Sequence, residues 1–171
     1  MKVIGVVPAY NEQGRIERTV SACLPYVDEL VVVDDGSMDQ TFSALKSISK
    51  IHAIRHAINR GQGAALRTGT KAALTLGADI IVHIDADGQH NPAQIPTLAE
   101  PIKLGQADIV FGSRFLDAKP QGMPRSRRFL LWGARWFNTF TQGIPRSATD
   151  PQSGFRASSS KTASQLHFKQ D

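Results

Sequence analysis

The chain has 171 residues, of which 41% are apolar and 20% are charged, and this balance is typical of one globular domain with a hydrophobic core. It excludes a chain that is disordered throughout. No run approaches the roughly 18 consecutive apolar residues that cross a bilayer, and the first residues lack a signal-peptide layout. The single cysteine, Cys23, excludes an internal disulfide and a CxxC zinc cluster, so we expect a cytoplasmic chain with Cys23 in its core.

The net charge of +5 is distributed unevenly along the chain. Residues 1–113 contain 10 basic and 12 acidic side chains, whereas residues 114–171 contain 10 basic and 3 acidic ones. A cationic surface of this kind binds nucleic acid, anionic lipid or a phosphorylated substrate, or is simply solvated. The charge alone therefore does not select a partner.

Short apolar runs rich in β-branched residues alternate with segments of helical spacing, which predicts an α/β fold. The predicted strands are Val3–Val7, Leu30–Val33, Ile51–Ile54, Ile80–Ile84 and Ile109–Gly112. Helical spacing follows the first four strands and starts at Ile16, Phe42, Ala65 and Ile95. Because the strands are nearly all apolar rather than alternating, we expect a mostly parallel sheet with helices on both faces. Ligands of such a sheet bind beyond the carboxyl ends of its strands.

The first two predicted strands end in polar turns. The first leads into Pro8, Tyr10 and Glu12, which offer an aromatic face and a carboxylate. The second leads into Asp34 and Asp35, and Asp35 is placed to accept a hydrogen bond from a ribose hydroxyl or a base N–H. Either turn alone is also compatible with a helix cap. Together with a third acidic strand end, they favour a shared site of nucleotide size.

The third predicted strand is followed by a glycine-containing loop, residues 59–65, ahead of a helix. Backbone N–H groups and Arg60 in this loop are suited to an anion. The loop is not a dinucleotide-binding fingerprint, because a third glycine is missing and the loop does not follow the first strand. The chain also lacks a GxxxxGK[ST] sequence, which excludes a P-loop nucleotide site.

The strongest local signal is DADGQH at residues 85–90, at the end of the fourth predicted strand. Strand alternation predicts that Asp85 and Asp87 point to the same side, where both carboxylates approach one hard cation. Carboxylates at this spacing suit Mg²⁺ or Mn²⁺ bound to a diphosphate, and Gln89 or His90 completes or supports the ligand set. A polar turn that caps the following helix is the alternative.

The other histidines carry less information. His83 lies within a predicted strand, and we expect it to be a hydrogen-bonded core residue. His52, His56 and His167 lack the spacing of metal ligands.

The late part of the chain is basic and aromatic. Residues 125–140 place five aromatic side chains on one stripe of a predicted helix: Phe129, Trp132, Trp136, Phe137 and Phe140. Such a stripe indicates either a helix that packs on the sheet or an amphipathic helix that lies on a membrane surface. Candidate ligands of phosphate oxygens are Arg114, Arg127, Arg128 and Arg156. Asp150 precedes a proline, as turn-forming aspartates do.

Six of these motifs, taken together, resemble family 2 glycosyltransferases, and most closely the dolichyl- or polyprenyl-phosphate mannose and glucose synthases. The motifs are VPAYNE (7–12), VDDGSMD (33–39), NRGQGA (59–64), DADGQH (85–90), GSR (112–114) and DPQSGFR (150–156). They span nearly the whole chain in the family's order. The resemblance implies the GT-A fold, a nucleotide-sugar donor and inversion at the anomeric carbon.

The resemblance also implies roles for individual residues. The donor site would consist of Pro8, Tyr10, Glu12, Asp35, Gly63, Asp85 and Ala86. The ligands of Mg²⁺ or Mn²⁺ would be Asp85, Asp87 and Gln89. The acceptor phosphate would be bound by Arg114, with Arg127 and Arg156 as further candidates. The catalytic residues would be Asp87 and Asp150, with Asp150 in the place of the catalytic base.

We therefore expect an inverting, metal-dependent transferase that passes a hexose from a GDP- or UDP-sugar to a polyprenyl phosphate. Residues 1–113 would be the nucleotide-binding part of a single domain, and residues 114–171 an incomplete part that faces the acceptor and the inner surface of a membrane. We expect no nucleic-acid partner. The alternatives that stay open are a transferase acting on a glycan, a nucleotide-sugar-binding remnant without turnover and an aspartate-dependent phosphohydrolase.

Overall fold

The computed structural model describes residues 1–112 and 154–165. Its strands are β1 (Val3–Ala9), β2 (Glu29–Asp34), β3 (Ile51–Arg55), β4 (Ile80–His83), β5 (Ile109–Phe111) and β6 (Arg156–Ser159). Its α-helices are α1 (Ile16–Cys23), α2 (Thr41–Lys46), α3 (Gln62–Thr75), α4 (Ile95–Lys103) and α5 (Ser160–Gln165). Short 3-10 helices cover Leu24–Tyr26 and Pro92–Gln94.

The six strands form one sheet in the order β3-β2-β1-β4-β6-β5. β1 pairs in parallel with both β2 and β4, and β2 pairs in parallel with β3. β6 runs antiparallel to β4. The carboxyl ends of β1, β2 and β4 therefore lie at the same edge of the sheet, where a ligand site is expected.

Helices cover both faces of the sheet, as the continuous apolar runs predict. On β1, Ile4 and Val6 belong to one buried cluster, whereas Val3 and Val7 belong to another. The first cluster continues into α3 and α5 through Ala65, Ala73 and Ala163. The second continues into α1 and α4 through Ile16, Val20, Ile95 and Leu98. Cys23 is also fully buried in this second cluster, so its predicted place in the core is confirmed.

The five predicted strands are confirmed, with small differences in their limits. β1 continues to Ala9, while β4 ends at His83, one residue before the predicted end. β6 was not predicted, because its sequence, RASS, offers no apolar run, although Ala157 and Ser158 are buried. The predicted aromatic helix at 125–140 lies outside the described residues. Within residues 1–112 and 154–165, no helix has the length and apolar character that a bilayer crossing requires.

A close approach of two chain segments fixes the turn after β2. Gly36 has φ +75°, and a Cβ atom there would lie 2.6 Å from the carbonyl carbon of Ile58 and 2.7 Å from the nitrogen of Asn59. We predict that Gly36→Ala lowers the free energy of unfolding by about 2 kcal/mol, because the methyl group adds an overlap with backbone to an unfavourable φ. Urea denaturation measures this loss.

Gly77→Ala is the matched control, since Gly77 has φ +78° and its Cβ would meet nothing within 4 Å. In this variant only the unfavourable φ costs stability, and we expect the free energy of unfolding to fall by about 1 kcal/mol. Equal losses for the two variants would contradict a role for the close approach.

Candidate functional site

A cleft of about 430 Å³ opens at the carboxyl ends of β1, β2 and β4. Residues of the three acidic turns line it: Pro8, Tyr10, Glu12, Asp35, Asp85, Ala86 and Asp87. The loop before α3 contributes Asn59 and Gly61, and α3 contributes its first residue, Gln62. The motifs that lie far apart in the sequence therefore meet at one site.

Other residues of the predicted site lie elsewhere. Of the described residues, Gly63 in the first turn of α3 and Gln89 do not line the cleft. Gln89 is exposed, and its backbone N–H donates to Asp87 Oδ1 at 3.0 Å. Arg156 is the first residue of β6. The remaining predicted site residues, Arg114, Arg127 and Asp150, lie outside the described residues.

Asp85 is held in place by two side chains. Its Oδ1 accepts a hydrogen bond from Gln62 Nε2 at 3.0 Å, and its Oδ2 lies 3.2 Å from His90 Nε2. The His90 ring stacks on Phe155, with 5.0 Å between ring centroids and 23° between planes. A Cβ atom on Gly154 would lie 2.6 Å from Asp85 Cγ, so the chain at 154–155 packs directly against this carboxylate and its histidine.

Asp85 and Asp87 reach the cleft from a turn rather than from the strand. β4 ends at His83, and Ala86 and Asp87 form a turn before Gly88, which has φ +73°. Both aspartates line the cleft, as expected. Alternation along a strand, on which the expectation rested, does not bring them there.

The oxygen donors of this turn fit a hard divalent cation. Among residues 1–112 and 154–165, no group of three or more His, Cys, Asp or Glu side chains is arranged to hold a metal ion. Mg²⁺, however, keeps several waters and is commonly bound through one or two carboxylates together with substrate phosphates. The carboxylates of Asp85 and Asp87, which line one cleft, match that donor set.

Asp35 lies in a buried hydrogen-bond network. Its Oδ1 lies 2.6 Å from His56 Nδ1, and the backbone N–H of Arg60 donates to both carboxylate oxygens at 3.1 Å. His56 Nε2 in turn lies 2.9 Å from Thr68 Oγ1 on α3. The side chains of Asp35 and His56 retain only 4% and 8% of their exposure.

His56 is a site residue that the sequence analysis missed. The signal was its position directly after the third strand. In the parallel pair β2–β3, Asp34 is opposite Arg55, so the next residues, Asp35 and His56, emerge side by side at the same edge. Metal spacing was therefore the wrong criterion, since the partner of His56 is a carboxylate on the adjacent strand.

His83 is fully buried on β4, which confirms the predicted core histidine. Its Nδ1 accepts a hydrogen bond from Arg156 Nε at 3.2 Å, and its Nε2 lies 2.9 Å from Thr70 Oγ1. Because Nδ1 accepts, the proton of the neutral ring is on Nε2 and is donated to Thr70. The pKa of His83 is lowered to about 3, mainly by burial and also by the nearby charge of Arg156, while Asp85 opposes the shift. Burial also lowers the pKa of Arg156.

The neutral state of His83 predicts a loss of stability in acid. The unfolded chain binds a proton at this histidine near pH 6.5, whereas the folded chain does not until about pH 3. The free energy of unfolding should therefore fall as the pH decreases through this window, with His83 contributing up to about 1.4 kcal/mol per pH unit. Urea denaturation between pH 7 and pH 4 should show a shallower dependence for His83→Gln. An identical dependence in both proteins would contradict the assignment.

Comparisons with known proteins agree with this fold. The sequence pattern of the family described as glycosyl transferase family 2 matches residues 6–163. The chain is 36% identical over 170 residues to the UDP-N-acetylglucosamine--dolichyl-phosphate N-acetylglucosaminyltransferase of Methanococcus voltae, covering 89% of this chain and 67% of that protein. It is 36% identical over 167 residues to the dolichol-phosphate mannosyltransferase of Pyrococcus furiosus, covering 92% of this chain and 46% of that protein.

A solved structure is similar over most of the chain. It is glucosyl-3-phosphoglycerate synthase from Mycobacterium tuberculosis in complex with Mn²⁺, UDP-glucose and phosphoglyceric acid, with a TM-score of 0.71 and 26% identity. The match covers 94% of this chain and 57% of that one, so the chain spans little more than half of the solved protein. The expected GT-A architecture, a mostly parallel sheet between helices, is confirmed. The chain therefore belongs to glycosyl transferase family 2.

Proposed function

We propose that this chain transfers a hexose from a nucleotide-sugar to a polyprenyl phosphate. The observation that carries the proposal is the single cleft in which the turns after β1, β2 and β4 meet. The names of the Methanococcus and Pyrococcus relatives, both transferases acting on dolichol-type phosphates, support the acceptor class. Direct contact with lipid acceptors would place the protein at the inner surface of a membrane.

The cleft has the size and chemistry of a nucleotide site. Its volume of about 430 Å³ is within the usual range for small-molecule sites. Tyr10, 39% exposed, offers an aromatic face, while Pro8, Glu12 and Asp35 provide the surroundings of a base and ribose. Asp85 and Asp87 line the same cleft, where the diphosphate of the donor would lie.

Asp85 and Asp87 are the residues that would hold Mg²⁺ or Mn²⁺ against the diphosphate. When bound, such a cation neutralises the charge that develops on the departing nucleoside diphosphate. Gln89, predicted as a third ligand, is exposed, and its backbone N–H supports Asp87. Gln62 and His90 restrain Asp85.

Transfer would proceed by a single in-line displacement. The acceptor oxygen attacks the anomeric carbon while the bond from that carbon to the diphosphate breaks, and its electron pair leaves with the nucleotide. A lipid phosphate is already largely ionised at neutral pH, since its second pKa is about 6. Asp150 would therefore align the acceptor rather than remove a proton, and Arg114, Arg127 and Arg156 would bind the phosphate.

The experiment supplies the whole chain with labelled UDP- or GDP-hexoses, Mn²⁺ and a polyprenyl phosphate in detergent. We expect label in the lipid extract, and loss of that label when EDTA replaces Mn²⁺. Label that enters only a glycan acceptor would contradict the proposed acceptor. Nucleotide binding with no transfer to either acceptor would support a binding remnant instead.

A further inference from the structure

The contacts around Asp35 bear on which base the donor carries. We propose that Asp35, fixed by His56 and Thr68, selects uracil over guanine and cytosine, so that the donor is a UDP-sugar. This inference rests on the proposed function, because it requires a nucleotide base in the cleft beside Asp35. It assigns a role to His56 and Thr68, which bind no substrate themselves and act by positioning Asp35.

The hydrogen bonds of Asp35 leave it little capacity for a base. An ionised carboxylate has about four acceptor positions, two on each oxygen. His56 Nδ1 and the N–H of Arg60 use both positions on Oδ1, and the same N–H of Arg60 uses one on Oδ2. Within the described residues, these contacts leave one acceptor position, on Oδ2.

One acceptor position matches the edge of uracil. Uracil presents a single N–H donor, at N3, between two carbonyl oxygens. Guanine presents two adjacent donors, N1–H and the N2 amino group, which pair best with both oxygens of a carboxylate. At the corresponding position cytosine carries an unprotonated nitrogen, which is itself an acceptor and would face the carboxylate unpaired.

Asn59, which lines the same cleft, adds a donor. Its Oδ1 accepts from the backbone N–H of Gly61 at 2.9 Å. Because a backbone N–H can only donate, the atom that faces Gly61 is the side-chain oxygen of Asn59. The NH₂ group of the same side chain can then donate a hydrogen bond to a base. A donor together with a single acceptor suits the carbonyl and N3–H of uracil.

The orientation of Asp35 is fixed by the chain around it. Asp35 follows β2 and His56 follows β3, and the register of these strands places the two residues side by side. His56 is supported from behind by Thr68 on α3 at 2.9 Å. Gly36 lets the turn after β2 approach the backbone of Ile58 and Asn59. Rotation of Asp35 to present both oxygens to guanine would break its hydrogen bond with His56, whose ring is buried.

Isothermal titration calorimetry of the whole chain with UDP, GDP and CDP, each with Mn²⁺, tests the proposal. We expect UDP to bind about 10- to 100-fold more tightly than GDP or CDP, the range for one unpaired contact to a charged group. GDP binding as tight as UDP binding would overturn the selection of uracil while leaving the nucleotide site intact. Equal affinity for CDP would overturn the N3–H contact. No binding of any of the three would overturn the proposed function itself.

Variants test the positioning roles. His56→Ala frees Oδ1, so we expect weaker UDP binding and a ratio of UDP to GDP affinity that narrows by about 10-fold. Thr68→Val keeps the side-chain shape but removes the hydroxyl that contacts His56. We expect the ratio of UDP to GDP affinity to narrow less than in His56→Ala. Thr70→Val is the matched control, because this neighbouring α3 threonine contacts His83 instead of His56. Its ratio of UDP to GDP affinity should equal that of the unmodified chain.

Circular dichroism and thermal unfolding establish that each variant is folded. A folded His56→Ala or Thr68→Val protein with an unchanged ratio of UDP to GDP affinity would overturn the role of that residue. Should His56→Ala fail to fold, Thr68→Val alone decides, because its shape is conserved.

Discussion

Sugar transfer should fall by about 10³-fold in kcat/KM when Asp87 is replaced by alanine, the size of effect expected for losing charge stabilisation at a leaving group. Asp87 lines the cleft, and within residues 1–112 and 154–165 its side chain accepts one hydrogen bond, from the backbone N–H of Gln89. Its loss should therefore affect catalysis far more than folding. Transfer of labelled hexose, with unfolding in urea measured in parallel, tests both statements.

Two controls make the Asp87 result specific. Asp108→Ala removes an aspartate that does not line the cleft, and we expect kcat/KM to stay within about 2-fold, as is usual for a surface substitution. Gln89→Ala removes an exposed side chain while keeping the backbone N–H that supports Asp87, and a loss below about 10-fold is expected. A 10³-fold loss for Gln89→Ala would identify it as a direct ligand. Full activity of Asp87→Ala would contradict the assigned site.

Gly154→Ala should lower kcat/KM by about 100-fold, although residue 154 lies 69 positions after Asp85 in the sequence. The added Cβ would overlap the Asp85 carboxylate. Gln62 and His90 contact the two oxygens of the same carboxylate. The carboxylate must move, and a displacement of about 1 Å at a reacting centre costs roughly two orders of magnitude. The transfer assay measures the loss.

Gly77→Ala separates this effect from general destabilisation. Its Cβ would meet nothing within 4 Å, and only its backbone is strained. For Gly77→Ala we expect a lower free energy of unfolding and an unchanged kcat/KM. For Gly154→Ala we expect a lower kcat/KM and an unchanged free energy of unfolding. Unchanged kcat/KM in Gly154→Ala would show that Asp85 tolerates movement and that its observed position is not required.

The sequence predicted the sheet well because the strands of a sheet covered on both faces are apolar almost throughout. Each of the five predicted runs is a strand, and the turns after β1, β2 and β4 meet because parallel strands end at a common edge. β6 could not be predicted in this way. Its pairing with β4 places Ala157 in the buried cluster that α1 and α4 cover, and this long-range pairing leaves no local pattern.

The candidate site was predicted by residue type and only partly by geometry. The sequence predicted three aspartates at the cleft, Asp35, Asp85 and Asp87. It predicted few of the residues that orient them. His56 contacts Asp35 across 21 positions, and its role depends on the register of β2 and β3. The packing of Gly154 against Asp85 depends on β6, which the sequence did not indicate.

The most direct test of the account is a calorimetric titration of UDP into the whole chain with and without Mn²⁺, repeated with Asp87→Ala. If Asp85 and Asp87 hold a cation against the donor diphosphate, Mn²⁺ should tighten UDP binding by about 10-fold or more in the unmodified chain, with no such gain in the variant. The same affinity in all four titrations would contradict the assignment of this cleft as a metal-dependent nucleotide-sugar site.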